Sequence, residues 1–172
     1  MTEPEETMTT TSTPVKPVTV DENKTTYDND YLWPKNDPTT SADEILVRLA
    51  IRTLSNANIM GLVHFDQAFY LEHLHMSEER FDTAFEALEK SGDVFKYSRE
   101  TDELMIKNYI PATTHSITKE KREAILAAMN EVKSEEIIEY FYKSLKSCPK
   151  ELRGKEALLK AMKKTVKFNA IN

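Results

Sequence analysis

The sequence predicts a mainly helical α+β fold, and three observations carry that expectation. Apolar residues recur at helical spacing through successive segments, two β-rich stretches flank a polar loop, and only three glycines leave little room for a large, tightly turned sheet. A chain of 172 residues, 40% hydrophobic and 30% charged, suits one domain with appendages. A single cysteine, Cys148, closes no internal disulfide, so a disulfide-stapled secreted fold is excluded and a reducing compartment is expected. No run approaches the roughly 18 apolar residues that span a bilayer. The N-terminal stretch MTEPEETMTTTSTP is acidic and polar where a signal peptide is basic and then apolar. A soluble, cytoplasmic protein without a membrane partner is therefore expected.

Residues 1–38 are dominated by Thr, Pro and acidic side chains, and such a stretch cannot offset its ordering entropy. A disordered tail is expected there, with Tyr27, Tyr31, Leu32 and Trp33 suited to a staple onto the domain or to a linear partner-binding motif. Order begins at Ser41-Ala42-Asp43-Glu44, a capping box in which serine accepts from the third amide and glutamate reaches back. Leu46, Leu49, Ala50 and Leu54 continue it at helical spacing, and the short polar residues at 56–58 end the helix. Residues 61–65 read as a short extended segment, and Asp66 as the cap of a second helix from 67 to about 73.

Ser77 is placed to cap a third helix, with Glu78 and Glu79 in the first turn where the helix dipole favours them. Phe81, Ala84, Phe85 and Leu88 form its apolar stripe, and Ser91-Gly92 stops it. Residues 94–97 and 103–109 read as a hairpin, with Leu104 and Ile106 on one face and Met105 and Lys107 on the other. Beyond Pro111, Ile125, Ala128, Met129 and Val132 mark a helix. Ser134 caps another, striped by Ile138, Phe141, Tyr142 and Leu145. Pro149 breaks the chain. A basic helix is expected from about 155 to 167, with Leu158, Leu159, Met162 and Val166 apolar and Lys160, Lys163, Lys164 and Lys167 in one charged stripe.

Helix, short strand, helix, helix and hairpin is the element order of a winged helix-turn-helix, whose third helix is the one placed to enter a DNA major groove. The expected division is a tail at 1–38, a winged-helix domain at 39–112, a helical extension at 113–147 and a basic C-terminal helix or tail at 148–172. Three stretches add a resemblance: Asn58-Ile-Met-Gly-Leu-Val-His-Phe65, then Met76-Ser-Glu-Glu-Arg-Phe-Asp-Thr-Ala-Phe-Glu-Ala-Leu-Glu-Lys-Ser-Gly92, then Arg99-Glu-Thr-Asp-Glu-Leu-Met-Ile-Lys-Asn-Tyr109. Together they resemble the N-terminal winged-helix domain of replisome-organiser proteins from phages of low-GC Gram-positive bacteria, related to DnaD-type primosome proteins. The resemblance covers about residues 41–145. It implies a DNA-linked role in starting phage replication inside a bacterial host, with a helicase or helicase loader as partners. The chain departs from that pattern in its long acidic N-terminal tail and in stopping soon after residue 145, where longer members carry further domains.

Charge is segregated. Net charge is -5 over residues 1–30, -6 over 31–110 and +5 over 111–172, and the last thirty residues carry +7. The third helix carries Glu78, Glu79, Asp82, Glu86 and Glu89 against Arg80 and Lys90, which opposes phosphate binding. Candidate nucleic-acid contacts are Arg80 and Lys90 on that helix, Lys96, Arg99 and Lys107 on the wing, and Lys160, Lys163, Lys164 and Lys167 at the basic end. The terminal stripe fits contact with phosphates, or docking against the acidic winged helix of the same or a neighbouring subunit. It lacks the Trp of a membrane-surface helix.

His64, His73 and His75 lack a completing zinc pattern, and His115 falls in a linker. Cys148 has no suggested histidine partner. With no Walker loop, GxSxG motif or paired carboxylates, neither an enzyme nor a cofactor is expected. Phe65, Phe69, Tyr70, Phe81, Phe85 and Phe95 read as core and not as a base-stacking platform.

Two functions follow from these features. One is a replication-type protein that binds double- or single-stranded DNA as an oligomer, through the wing and basic end. The other is an interaction protein, an inhibitor or adaptor of a host replication or defence protein, using the acidic winged helix as its interface. A transcriptional repressor is a third option, with a palindromic site as its signature.

Overall fold

In the computed structural model, residues 40–148 and 151–165 are described. The expected tail, its Tyr-Leu-Trp cluster, Pro149 and Lys167 lie outside the described residues. Helix α1 (Ala42–Thr53) starts at the expected capping box: the Ser41 hydroxyl accepts from the Glu44 amide at 3.1 Å, and the Glu44 carboxylate accepts from the Ser41 amide at 3.3 Å. The helix ends three residues before the expected 56–58. The Asn58 side chain instead organises the turn into β1 (Leu62–His64), accepting from the Met60 and Leu62 amides at 2.9 and 3.1 Å.

Helix α2 (Gln67–Leu74) begins at Asp66, whose carboxylate accepts from the Ala68 amide at 3.1 Å, and ends at His75 in the left-handed region. Helix α3 (Glu78–Ser91) has Ser77 at its N-cap position, but contrary to expectation the hydroxyl makes no capping bond; the two first-turn glutamates complement the helix dipole there. Gly92, at φ 63°, closes α3. The hairpin is β2 (Phe95–Ser98) and β3 (Glu103–Ile106), shorter at its end than the expected 103–109. Asn108 turns left-handed, and residues 109–113 wind instead into α4 (Tyr109–Thr113). Helices α5 (Lys119–Glu131), α6 (Glu135–Ser147) and α7 (Lys155–Met162) follow. Among the described residues helix content is 59% and strand content 10%, so this is a mostly helical α+β fold.

The three strands form one antiparallel sheet in the order β1-β3-β2. Val63, Leu104 and Tyr97 are in register on one face, and Leu62, Met105 and Lys96 on the other. Each face is covered. Leu104, Ile106, Val63 and Phe95 join α1, α2 and α3 in a first core, through Val47, Ile51, Tyr70, Phe81 and Phe85. Its aromatic rings form a contiguous cluster, with Phe65 4.8 Å from Phe85 and Phe85 4.6 Å from Phe95, each pair tilted. Met105 enters a second core with Met60 and the inner residues of α5, α6 and α7, among them Ile125, Met129, Ile138, Phe141 and Leu158. Helices α5–α7 are therefore the cover of the sheet's second face.

Glu103 joins the two halves. Its side chain is buried, 6% exposed, and its two carboxylate oxygens accept from the Lys133 and Ser134 amides at 2.8 Å each. Ser134 is the N-cap of α6 and Lys133 the residue before it, so the carboxylate satisfies the N-cap amide that the helix leaves orphaned and sits at the positive end of the dipole. The Thr101 hydroxyl donates to it at 3.0 Å. Beside it, Lys96 of β2 forms an ion pair with Glu136 in the first turn of α6.

Removing the Glu103 carboxylate leaves two amides without acceptors in a place that water reaches poorly. Glu103→Ala is expected to cost about 3 kcal/mol in urea unfolding and Glu103→Gln about half that, with an unchanged denaturant slope. A loss below about 0.5 kcal/mol for the alanine variant would show that the latch is ornamental.

Candidate interaction surfaces

The outer side of α3 is the acidic surface. Glu78, Glu79, Asp82 and Glu86 are all exposed. Asp82 accepts from the Gln67 side-chain amide of α2 at 2.8 Å, which ties the two helices together. The candidate cations around this surface are committed elsewhere. Arg80 turns back to α1 and donates twice to Asp43, at 2.9 and 2.5 Å. That hydrogen-bonded pair holds the Asp43 carboxyl below its ordinary range and raises the guanidinium.

On the hairpin, Arg99 makes a two-pronged bond to Glu89 of α3, at 2.9 and 2.8 Å, and its guanidinium stacks 5.7 Å from the Tyr97 ring centre. Lys107 donates to the Gly92 carbonyl at 3.0 Å and to Asp93 at 3.1 Å. Lys96 faces Glu136. Of the five cations expected to contact DNA on this half, only Lys90 is exposed with no ion-pair partner among the described residues. The hairpin's charges thus hold it to α3 and α6.

The basic end differs. Lys160, on α7, and Lys163 and Lys164 are exposed and have no carboxylate within ion-pair distance among the described residues. The expected stripe is shorter than its sequence pattern, because α7 stops at Met162 and not near 167. The Thr165 amide and hydroxyl both donate to the Met162 carbonyl, at 3.0 and 2.7 Å, which closes the last turn. Lys160 and Lys163 remain about one turn apart, and Lys164 lies in the closing turn.

A basic group that the sequence reading passed over lies beside them. Lys119, Lys121 and Arg122 occupy the first turn of α5, a position where the helix dipole disfavours positive charge. That mismatch was the available signal. Arg153, exposed, reaches the same place because residues Ser116 and Arg153 pair across a parallel bridge.

No group of three His, Cys, Asp or Glu side chains among the described residues is arranged to hold a metal ion, and none of the described helices is long and apolar enough to cross a membrane. Cys148 is buried, and His73 bonds the Phe69 carbonyl at 2.7 Å. Of the six core-designated aromatics, Tyr70, Phe81, Phe85 and Phe95 are buried, and Phe65 and Phe69 are half-buried against them.

The buried phenols of both layers give the fold a pH dependence. Burial, aided by the 2.9 Å bond to Asp102, pushes Tyr97 up to about 12, and burial pushes Tyr70 and Tyr140 up to about 12 as well. A raised folded-state pKa favours the neutral phenol, so its contribution is complete below the ordinary value of 10 and is lost as pH rises through about 12. The urea midpoint is expected to fall between about pH 10 and about pH 12, together with a rise in tyrosinate absorbance. Tyrosinate forming at its ordinary pH while the chain stays folded would contradict this.

Comparison of the chain with protein-family models, curated proteins and solved structures finds no match.

Proposed function

We propose that this chain is a winged-helix interaction protein, an adaptor or inhibitor that binds a basic protein surface through the acidic outer face of α3. The element order and the β1-β3-β2 sheet support the winged-helix reading. The observation that carries the functional reading is the pairing of Arg80, Lys96, Arg99 and Lys107 with the chain's own carboxylates. Glu78, Glu79, Asp82 and Glu86 are left facing outward. Insertion of α3 into a major groove would set four carboxylates against phosphates, each repelled by about 1 kcal/mol at 4 Å even in water. A basic partner reverses that sign and gains association rate from the same field. The partner class that fits is a nucleic-acid-handling host protein, whose working surface is itself basic.

The second reading is a replication-type DNA-binding protein that assembles with a helicase or helicase loader. Its support is the resemblance over about residues 41–145 and the exposed Lys160, Lys163 and Lys164. In that case the phosphates lie at the basic end and not at α3.

Titration of poly-lysine onto the full chain tests the acidic face. Glu79→Lys/Asp82→Lys/Glu86→Lys is expected to weaken binding at least about tenfold, while Glu123→Lys/Glu131→Lys on α5 changes it by less than about twofold. Equal losses in the two variants would mean that net charge alone is being read, and would overturn the assignment of α3.

A further inference from the structure

We infer that the junction between the start of α5 and the segment leading into α7 is a nucleic-acid-backbone binding surface, composed of Lys119, Lys121, Arg122 and Arg153 with Lys160, Lys163 and Lys164. It rests on the second reading above and extends it to Arg153 and to Lys119, Lys121 and Arg122, more than thirty positions away in the sequence.

The junction is built from backbone. The Ile117 amide donates to the Arg153 carbonyl at 2.8 Å, and the Arg153 amide to the His115 carbonyl at 3.3 Å. Gly154, at φ 83°, makes this approach possible, since a Cβ there would collide with the Ile117 carbonyl oxygen. Two basic segments are thereby clamped side by side. The Lys121 ammonium is drawn to the same spot: it donates to the Thr114 hydroxyl at 2.8 Å, and that hydroxyl donates to the Ser116 carbonyl at 2.9 Å.

Charge bookkeeping at the junction contrasts with that on the hairpin. Residues 119–123 and 151–164 carry eight bases and four acids. Of the acids, Glu120 is held low by bonds to its own backbone and to Thr118, at the start of α5. Glu123 approaches Lys119 only to 4.0 Å. Arg122, Arg153, Lys160, Lys163 and Lys164 have no ion-pair partner among the described residues. Lys119, Lys121 and Arg122 stand against the dipole of α5, an arrangement that a bound phosphate would relieve.

A polyanion fits better than an acidic protein. Protein interfaces draw their energy from buried apolar and aromatic anchors, whereas phosphate neutralisation needs only cations along a strand. Of the exposed large apolar side chains among the described residues, Leu46 and Leu54 belong to α1 and its C-cap, and Ile59 alone reaches the junction, where it lines a small cavity with Ile117 and Lys121.

Fluorescence anisotropy of the full chain on a labelled mixed-sequence single strand and its duplex, from about 50 to about 200 mM salt, tests the surface. Wild type is expected to bind with a steep salt dependence. Lys119→Glu/Lys121→Glu and Lys160→Glu/Lys163→Glu should each weaken binding at least about fivefold and flatten the log–log slope by roughly 1.4 on the single strand or 1.8 on the duplex. Lys96→Ala/Arg99→Ala should leave both unchanged. Gentler Lys119→Gln/Lys121→Gln and thermal melts guard against unfolding. Loss in the Lys160/Lys163 variant alone would overturn the junction and keep the second reading. No binding by wild type at the lowest salt would overturn both, and self-association that rises as salt falls, without DNA, would assign the junction to protein contact.

Discussion

The buried carboxylate of Glu103 is the constraint on which the arrangement depends. It lies on the central strand, reaches away from the first core, and ends at the two amides that lead into α6. A charged acceptor on orphan helix donors is strong where water is excluded, and it fixes both where α6 begins and which face of the sheet it covers. With α6 held there, Met105 and Leu62 have apolar partners and the sheet is covered on both sides. Without it, the α5–α7 layer would have to find its register through apolar contacts alone, which specify position weakly.

That covering decides what the hairpin can do. Lys96 faces α6, and Arg99 and Lys107 face the end of α3 and the turn that follows it, so each cation serves to hold one element against another. Individually such exposed pairs contribute little to stability. Together they commit most of this half's candidate cations to its own carboxylates and leave its outer helix acidic. At the opposite end Lys160, Lys163 and Lys164 have no carboxylate within ion-pair distance among the described residues. The chain is thus electrically two-ended, and its two ends suit partners of opposite sign.

Much of the local structure was legible in the sequence, because short-range physics sets it. The Ser41–Glu44 box, the Asp66 and Ser134 capping positions, the Phe81-Ala84-Phe85-Leu88 stripe and the polar turn of the hairpin each have a local cause. Non-local facts were not legible. Alternation in β3 placed Met105 opposite Leu104 without showing that three helices would cover it. Nothing in the spacing of Glu103 foretold an acceptor role thirty residues on. The candidate cations were read by residue type, whereas their roles follow from partners such as Asp43 and Glu136, which only the folded chain brings near. The end of α7 at Met162 turned on the Thr165 hydroxyl, a bond whose competition with the helix was easy to miss.

Native-state hydrogen exchange across increasing denaturant tests most directly the claim that the sheet and Glu103 make one unit of the two layers. Amides of α1 such as Val47 and Ile51, and of α6 such as Ile138 and Phe141, should open with the same free energy and the same denaturant dependence. If the α6 amides exchange through a separate opening about 2 kcal/mol or more below that of α1, the layers unfold independently and the account fails.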